Sequence, residues 1–187
     1  GFRPGGLNLP VGLGVPAPFL PEEVTSYEAG WKANWADGKV RTTVNGFYND
    51  YKNFQVIIGY PAFPTFGIEL NVKNATKIYG FEAEAEFHVG NLKLDAGINV
   101  LHSELGQFYA SDPRIAAAGA CDPLTGGPGA NCINLKGRRQ TYAPNLTFNI
   151  GAEYTIELGS DKLIPRLNFG HIGNQWATLF ENTSRGD

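Results

Sequence analysis

Apolar and polar side chains alternate one by one through most of the stretch Asn74–Leu105. In Ile78–Phe87 every odd position is aromatic or Ala, and the even positions carry Ile, Gly and three glutamates. The alternation resumes after the turn signal at Gly90-Asn91, where the even positions from Leu92 onward are apolar. Because successive side chains of a strand point to opposite faces, the pattern predicts a β-hairpin with one apolar and one polar face.

The register of this hairpin follows from the same pattern. A two-residue loop at Gly90-Asn91 sets apolar residues opposite apolar ones and polar residues opposite polar ones. A slip by one residue would turn every side chain to the other face, so this agreement tests the register. We expect the first strand to begin near Glu69. The predicted pairs are Val89 with Leu92, Phe87 with Leu94 and Glu86 with Asp95.

Two further hairpins show the same alternation. One closes at Asp37-Gly38, a strong hairpin signal, and the other closes at a short turn over Glu157–Lys162. The four additional strands are Val24–Ala36, Lys39–Val56, Thr141–Ile156 and Leu163–Trp176. The expected cross-strand pairs are Trp35 with Val40, Trp31 with Val44, Tyr27 with Tyr48, Ile156 with Leu163, Ile150 with Phe169 and Glu153 with Arg166.

Long or irregular segments separate the hairpins. The Gly- and Pro-rich start 1–21 has no periodicity, and the aromatic-rich stretch 57–68 contains two prolines. Residues 106–140 form a loop of about 35 residues, with a short helix expected around Pro113–Ala118. Short turns therefore lie at one end of the sheet and long loops at the other. This is typical of a bacterial outer-membrane β-barrel, with short periplasmic turns and long extracellular loops.

Composition agrees with that architecture. The chain has 187 residues and a net charge of −3, which gives no electrostatic case for binding nucleic acid. It has no apolar run of 18 residues, so no transmembrane helix is predicted, but barrel strands barely register in average hydropathy. A soluble antiparallel sandwich or lipocalin-type barrel explains the alternation equally well. It explains the long strands and the one-sided loops less well.

Aromatic residues recur on the predicted apolar face. In a membrane barrel this face contacts lipid, and aromatic residues collect at the two membrane–water interfaces. A charge on the lipid side would cost about 2–4 kcal/mol at the midplane, and the exceptions, Asp50, Lys52 and Lys77, lie toward the extracellular ends. The residues expected to contribute to these two interfacial girdles of aromatic side chains are Tyr27, Trp31, Trp35, Tyr48, Tyr79, Phe87 and Tyr154.

Two cysteines, Cys121 and Cys132, lie close together in a Gly/Pro-rich segment. Their spacing matches no common zinc motif, and no His lies nearby. A local disulfide in an oxidising compartment is the favoured interpretation, and two free thiols are the alternative.

Four sequence blocks, in order, resemble the C-terminal part of the barrel of TonB-dependent outer-membrane receptors. They are Glu23–Lys32 with Y-E-A-G-W-K, Asp37–Tyr51 with D-G-K-V-R and G-F-Y-N-D-Y, Asn74–Glu84, and Ala143–Tyr154. Together they cover residues 22–176. The family's plug, its TonB-contacting box and its terminal aromatic have no counterpart in this sequence. Since the sequence also lacks a start methionine, we expect a fragment of a longer protein.

The resemblance implies an all-β, antiparallel, up-and-down transmembrane barrel segment in the bacterial outer membrane. It implies about six long strands in three hairpins within 22–176, flanked by extracellular loop residues over 1–21 and 177–187. The implied function is energy-coupled uptake of a scarce ligand, typically a ferric siderophore, without enzymatic activity and without a resident metal or cofactor. The implied partners are the lipid bilayer, a plug domain, the remaining strands and the TonB complex. A passive porin and a soluble secreted β binding module are the alternatives.

Charged residues of the polar face are candidates for contact with the plug. Glu82, Glu84 and Glu86 are spaced about 6–7 Å apart along one strand face, which suits a lumenal salt-bridge ladder better than an acid/base pair. The three histidines are isolated, and we expect structural roles for them. In the resembled family such lumenal charges face the plug, and we predict that this ladder seats it. The residues of the ladder are Arg41, Glu82, Glu84, Glu86, Lys93, Glu153 and Arg166.

Ligand contact is expected from the extracellular loops. Arg138 and Arg139 would attract an anionic ferric complex, although solvated loop charges are the favoured interpretation because isolated surface charges usually contribute little. Phe108 lies in the same cysteine-containing loop. The candidate ligand-contacting residues are Tyr60, Phe63, Phe66, Arg138 and Arg139.

Overall fold

The structure, a computed structural model, describes residues 1–8, 18–60, 63–112 and 132–181. For Tyr60 and residues 63–66 it describes the course of the backbone only. In these ranges the regular structure consists of β-strands. No helix among the described residues is long and apolar enough to cross a membrane.

Fifteen strands follow one another along the described chain. They are β1 (Phe2–Arg3), β2 (Gly6–Leu7), β3 (Pro18–Phe19), β4 (Glu22–Trp35), β5 (Val40–Lys52), β6 (Gln55–Tyr60), β7 (Phe63–Asn71), β8 (Thr76–Val89), β9 (Leu92–Glu104), β10 (Tyr109–Ala110), β11 (Ile133–Asn134), β12 (Leu146–Tyr154), β13 (Ile156–Leu158), β14 (Asp161–Leu163) and β15 (Arg166–Ile172).

Seven strands form one antiparallel sheet in the order β1-β4-β5-β8-β9-β12-β15. Apart from the two-residue β1, each strand pairs with the next long strand along the chain, so the sheet is an up-and-down meander. Strands β4 and β8 have 14 residues each, which at the usual rise per residue is about 45 Å. The prediction of six long strands in three hairpins is confirmed.

The predicted registers are also confirmed. Val89 lies opposite Leu92 and Glu86 opposite Asp95 in the central hairpin. Every predicted pair of the two outer hairpins is present, including Tyr27 with Tyr48 and Glu153 with Arg166. The turns allow these registers because Gly38 (φ 84°) and Gly90 (φ 58°) adopt left-handed conformations that glycine accepts without steric cost.

Several strand ends differ from the predictions. Strand β5 ends at Lys52 rather than Val56, because Asn53 has a positive φ of 52°. The stretch 57–68 was predicted as a loop, but residues 57–60 and 63–68 belong to an antiparallel hairpin of β6 and β7, while residues 61 and 62 lie outside the described residues. Glu69 lies in β7, so the central hairpin begins at Thr76. The loop prediction was wrong because packing of Val56 and Ile68 into a local core outweighs the proline signal.

The third hairpin is shorter than predicted at its open end. Strand β12 begins at Leu146 instead of Thr141, and Tyr142 has a positive φ of 56°. The last strand is divided at Pro165, which has no N–H to donate, into β14 and β15. It ends at Ile172 rather than Trp176. The predicted turn Glu157–Lys162 is tighter, because β13 and β14 pair as far as Leu158 and Asp161.

The long segments contain short paired strands. The start, predicted as irregular over 1–21, contributes β1 to the large sheet, and β2 pairs with β3. In the loop 106–140, β10 pairs with β11. The helix expected around Pro113–Ala118 lies outside the described residues.

The buried core of the described chain lies among the long loops and not in the large sheet. Its members come from the β6–β7 hairpin, the segment after β9 and the β11 region. The apolar face of the sheet stays open, with Trp31 58% and Phe169 60% exposed. The core residues are Val56, Ile68, Leu70, Val72, Leu105, Phe108, Ala110 and Leu135.

Candidate functional site

A row of glutamates runs along the polar face of β8. Register places Glu82 between Asn45 and Asn99, and the Asn99 amide donates a hydrogen bond of 2.8 Å to the Glu82 carboxylate. Glu86 lies 3.8 Å from the His88 imidazole. Among the described residues Glu84 has no ion-pair partner. The row is thus an acidic surface that the neighbouring strands neutralise only in part.

The strongest polar contact on this face spans three strands. Arg166 on β15 reaches across β12 to Asp95 on β9, with 2.8 Å between Nη2 and Oδ1. A second nitrogen of Arg166 lies 3.5 Å from the Glu153 carboxylate, and Nε donates to Asn168 at 3.0 Å. Arg166 can reach Asp95 because Gly151, which lies on β12 between β9 and β15, has no side chain to block the path. A Cβ there would lie 2.5 Å from the Asp95 carboxylate and 2.6 Å from Arg166 Nη2.

The predicted ladder residues share this face but form fewer ion pairs than expected. The pair Glu153–Arg166 is present. Arg41 lies opposite Glu86, and Lys93 lies between His88 and Glu153 in the register. In the described part of the chain neither cation comes within ion-pair distance of a carboxylate. The Arg166 cluster consists of Arg166 with Asp95, Glu153 and Asn168. A hollow of about 360 Å³ is lined by Lys93, Glu84 and Glu86 together with Asp95 and Arg166 of this cluster.

Sequence reasoning missed the contact between Asp95 and Arg166. The two residues are 71 positions apart and lie on strands that are not direct neighbours. Their side chains meet only because the intervening position is glycine. The available signal was Gly151, a glycine opposite Asp95 and two residues before Glu153, which pairs with Arg166.

The apolar face carries a row of aromatic rings that runs across the four neighbouring strands β4, β5, β8 and β9. Tyr27 and Tyr48 lie 6.5 Å apart, Tyr48 and Tyr79 lie 6.1 Å apart, and His102 lies 4.7 Å from Tyr79 between ring centroids. His171 packs in the same way, 5.0 Å from Phe148. These two histidines therefore complete aromatic contacts on the apolar face.

The predicted ligand-loop cations contact their own chain. The Arg138 guanidinium donates to the Phe180 carbonyl. The Arg139 backbone N–H donates to the Glu181 carboxylate at 2.7 Å, and its guanidinium lies 5.8 Å from the Trp176 ring centroid. These contacts connect the loop after β11 to the segment after β15, and neither cation is simply solvated.

The other loop candidates divide into three groups. Phe108 is a core residue, 5% exposed, and its side chain therefore presents little surface to a ligand. The side chains of Tyr60, Phe63 and Phe66 lie outside the described residues. Cys132 is not a free thiol, whereas Cys121 lies outside the described residues, so their pairing stays a prediction.

The whole of this chain, residues 1–187, matches the family described as TonB dependent receptor-like, beta-barrel. The chain belongs to this family. Its fold is that of a solved barrel, the ferric yersiniabactin uptake receptor FyuA from Yersinia pestis, with a TM-score of 0.65 and 19% identity. A second solved structure, the alcaligin outer membrane receptor FauA from Bordetella pertussis, is similar over 77% of this chain and 21% of that chain, with 17% identity and a TM-score of 0.43.

The chain spans less than a quarter of the length of FyuA. The match to FyuA covers 96% of this chain but only 23% of FyuA. The described residues accordingly form an open segment of a TonB-dependent receptor barrel, bounded by β15 on one side and by β4 with its short partner β1 on the other.

Proposed function

We propose that this chain is part of the barrel wall of a TonB-dependent outer-membrane receptor that takes up a ferric siderophore. The observation that carries the proposal is the family match over all 187 residues, on a sheet with the fold of FyuA. FyuA is a ferric yersiniabactin uptake receptor. The choice of a siderophore as the ligand class follows from that likeness.

The two faces of the sheet support a membrane orientation. Lipid has no hydrogen-bonding groups, so a spanning sheet must close into a barrel and present apolar side chains outward. The exposed face with Trp31, Ile150 and Phe169 suits lipid, and the row of rings around Tyr48 suits the interface. The polar face then borders the lumen, and the loop core lies on the extracellular side.

Uptake by the complete receptor tests this proposal. A strain lacking the receptor gene is supplied with single ferric siderophores as its iron source, with and without a plasmid copy of the receptor. We expect restored growth on one of them, abolished when TonB is also deleted. Growth independent of TonB would instead indicate the passive porin, and purification of the receptor as a soluble protein without detergent would indicate the soluble module.

The acidic row suits a second role, contact with the plug. Glu84 has no ion-pair partner among the described residues, and Glu86 has only the distant His88, so both are available to cations from another domain. We propose that Glu82, Glu84 and Glu86 seat the plug, together with Arg41, Lys93 and the Arg166 cluster.

Charge reversal tests the seating. In the complete receptor, Glu84→Lys combined with Glu86→Lys is expected to reduce TonB-dependent uptake and to increase leakage of a small antibiotic through the barrel. The matched control reverses two charges as well, Glu157→Lys combined with Asp161→Lys, in strands β13 and β14 beside the short turn. Unchanged uptake and unchanged leakage in the double variant would rule out the role of this row.

A further inference from the structure

Among the described strands, β6 and β7 pair only with each other, so each has an outer edge. Residues of an antiparallel pair alternate between those whose backbone groups bond the partner strand and those whose backbone groups point away from it. Phe54 is of the first kind, because its carbonyl accepts a hydrogen bond of 2.8 Å from the Val72 N–H. Ile57, three residues further on, is therefore of the second kind, and so is Glu69, which lies opposite Ile57.

The outer edge of β7 is occupied by an amide group at Glu69. The Asn8 side chain accepts a hydrogen bond of 2.6 Å from the Glu69 N–H and donates one of 2.8 Å to the Glu69 carbonyl. A carboxamide carries a carbonyl and an N–H as a peptide unit does, so Asn8 takes the place of a residue in a third strand. The Arg3 guanidinium, 2.5 Å from the Glu69 carboxylate, connects the same N-terminal segment to β7.

The outer edge of β6 is occupied only at its start. The Gln55 N–H points away from β7 and donates a hydrogen bond of 2.7 Å to the Glu22 carboxylate. Ile57 is the next residue of the same kind, and its N–H and carbonyl have no hydrogen-bond partner in the part of the chain that the structure describes. Ile57 is also 66% exposed. The hairpin is thus open at the position directly across from the one that Asn8 occupies.

A groove of about 430 Å³ follows this open edge. Six consecutive residues, 54–59, line it, as expected for a groove that runs along the edge of a strand rather than over one of its faces. The facing wall mixes apolar side chains with amide and hydroxyl groups and consists of Ser111, Leu135, Gln140, Thr141 and residues 177–180. None of these lining residues, all of them described, is charged, which favours a neutral occupant over an ion.

We propose that the β6 edge binds an extended peptide segment of a ligand that arrives from outside the receptor. One residue of this segment would place its carbonyl against the Ile57 N–H and its N–H against the Ile57 carbonyl, as the Asn8 amide does at Glu69. Addition of a strand to an exposed sheet edge is a recurring mode of peptide recognition, in which backbone hydrogen bonds supply the affinity. The inference goes beyond the proposed uptake of a siderophore, because it concerns the backbone chemistry of the occupant and no step of transport.

Backbone amide hydrogen exchange in the complete receptor, in detergent and resolved by residue, tests the open edge. In the receptor alone the Ile57 amide should exchange faster than the Ile58 amide, which bonds β7, and faster than the Glu69 amide, which bonds Asn8. The probe is the neutral peptide acetyl-Val-Thr-Val-Thr-Val dimethylamide, a sequence that favours strands. It should slow exchange at Ile57 about tenfold once about nine-tenths of the receptor is occupied, because only the free fraction exchanges.

The matched control peptide carries a methyl group on every backbone nitrogen, so it has the same side chains and no backbone donor. It should leave the exchange rate at Ile57 unchanged. Slow exchange at Ile57 in the unliganded receptor would mean that the receptor's own chain already covers this edge, and would overturn the proposal. Equal protection by the two peptides, or protection by neither, would overturn it as well.

Two variants at one position separate edge pairing from folding. Ile57→Pro removes the N–H that would bond the peptide, and Ile57→Val keeps it. Proline is tolerated on edge strands where the missing N–H would face outward, so both variants should retain the heat-dependent shift in gel migration of the folded receptor. Affinity for the probe, measured by calorimetry, should fall about three- to tenfold in the proline variant only, the effect of one neutral hydrogen bond.

Equal affinities of the two variants would contradict pairing at Ile57. Because these assays contain neither TonB nor iron, their outcome is independent of the uptake test, and either proposal can fail while the other stands.

Discussion

Gly151 is the position on which the polar contacts of the sheet depend most directly. It lies on β12, opposite Asp95 on one side and Asn168 on the other. The absence of a side chain lets the Arg166 guanidinium cross the strand and reach Asp95. Gly97 has a related role, because a Cβ there would lie 2.6 Å from the Asn149 side-chain oxygen. Glycines on this face thus make room for long polar side chains.

We expect Gly151→Ala to weaken the three-strand contact. The new methyl group would displace Arg166 and Asp95, whose side chains are 36% and 22% exposed, and an ion pair in contact with solvent contributes modestly to stability. Urea unfolding of the complete receptor in detergent should show a lower free energy of unfolding for Gly151→Ala than for the parent.

Gly170→Ala is the matched control for this prediction. Gly170 lies on the neighbouring strand, and a Cβ there would have no atom within 4 Å. Its effect should stay within about 0.5 kcal/mol, as for most surface substitutions. Equal losses for the two glycine variants would contradict the role assigned to Gly151.

The long strands each present two chemically different faces, and adjacent residues therefore meet different surroundings. In β9, Ile98 lies beside Ala83 and Phe148 on the apolar side, while Asn99 lies beside Glu82 and Thr147 on the polar side. The proposed membrane orientation makes these neighbours differ sharply in their tolerance of charge.

We expect Ile98→Arg to impair assembly of the complete receptor much more than Asn99→Arg. An arginine facing lipid near the midplane costs about 2–4 kcal/mol, whereas an arginine at position 99 would lie beside the Glu82 carboxylate. Folding into lipid vesicles, followed by the heat-dependent shift in gel migration, measures the difference. Similar folding yields for the two variants would argue against a lipid-facing apolar side.

Taken as one molecule, the chain combines an open sheet with a small core of loops. Strand β15 has β12 as its only neighbour in the described sheet, and β4 has only the two-residue β1 on its outer side. Unpaired strand edges expose hydrogen-bonding groups and invite association with other chains. The loop core buries few residues beside the large apolar face that remains exposed.

We therefore expect the 187-residue chain, produced by itself, not to form a stable monomer. After refolding in detergent it should be digested rapidly by trypsin and should show no heat-dependent shift in migration, while the complete receptor shows both protease resistance and the shift. A trypsin-resistant monomer of the isolated chain would disprove this expectation.

Alternation of apolar and polar residues, together with the turn signals, was enough to determine the register within each of the three hairpins. The reason is that a strand has a period of two, so a wrong register at Glu86–Asp95 or Trp35–Val40 would place polar groups on the apolar face. The same pattern placed Glu153 opposite Arg166. The family resemblance carried by these strands is likewise a property of local sequence.

Tertiary packing decided the features that depend on residues distant in sequence. The β6–β7 hairpin formed despite its prolines because Val56 and Ile68 pack with Leu105 and Leu135 from other segments. Arg138 and Arg139, predicted from sequence as loop cations, instead contact the segment after β15. The contact between Asp95 and Arg166 arises in the same way, because no local period records which side chains meet across a strand or between loops.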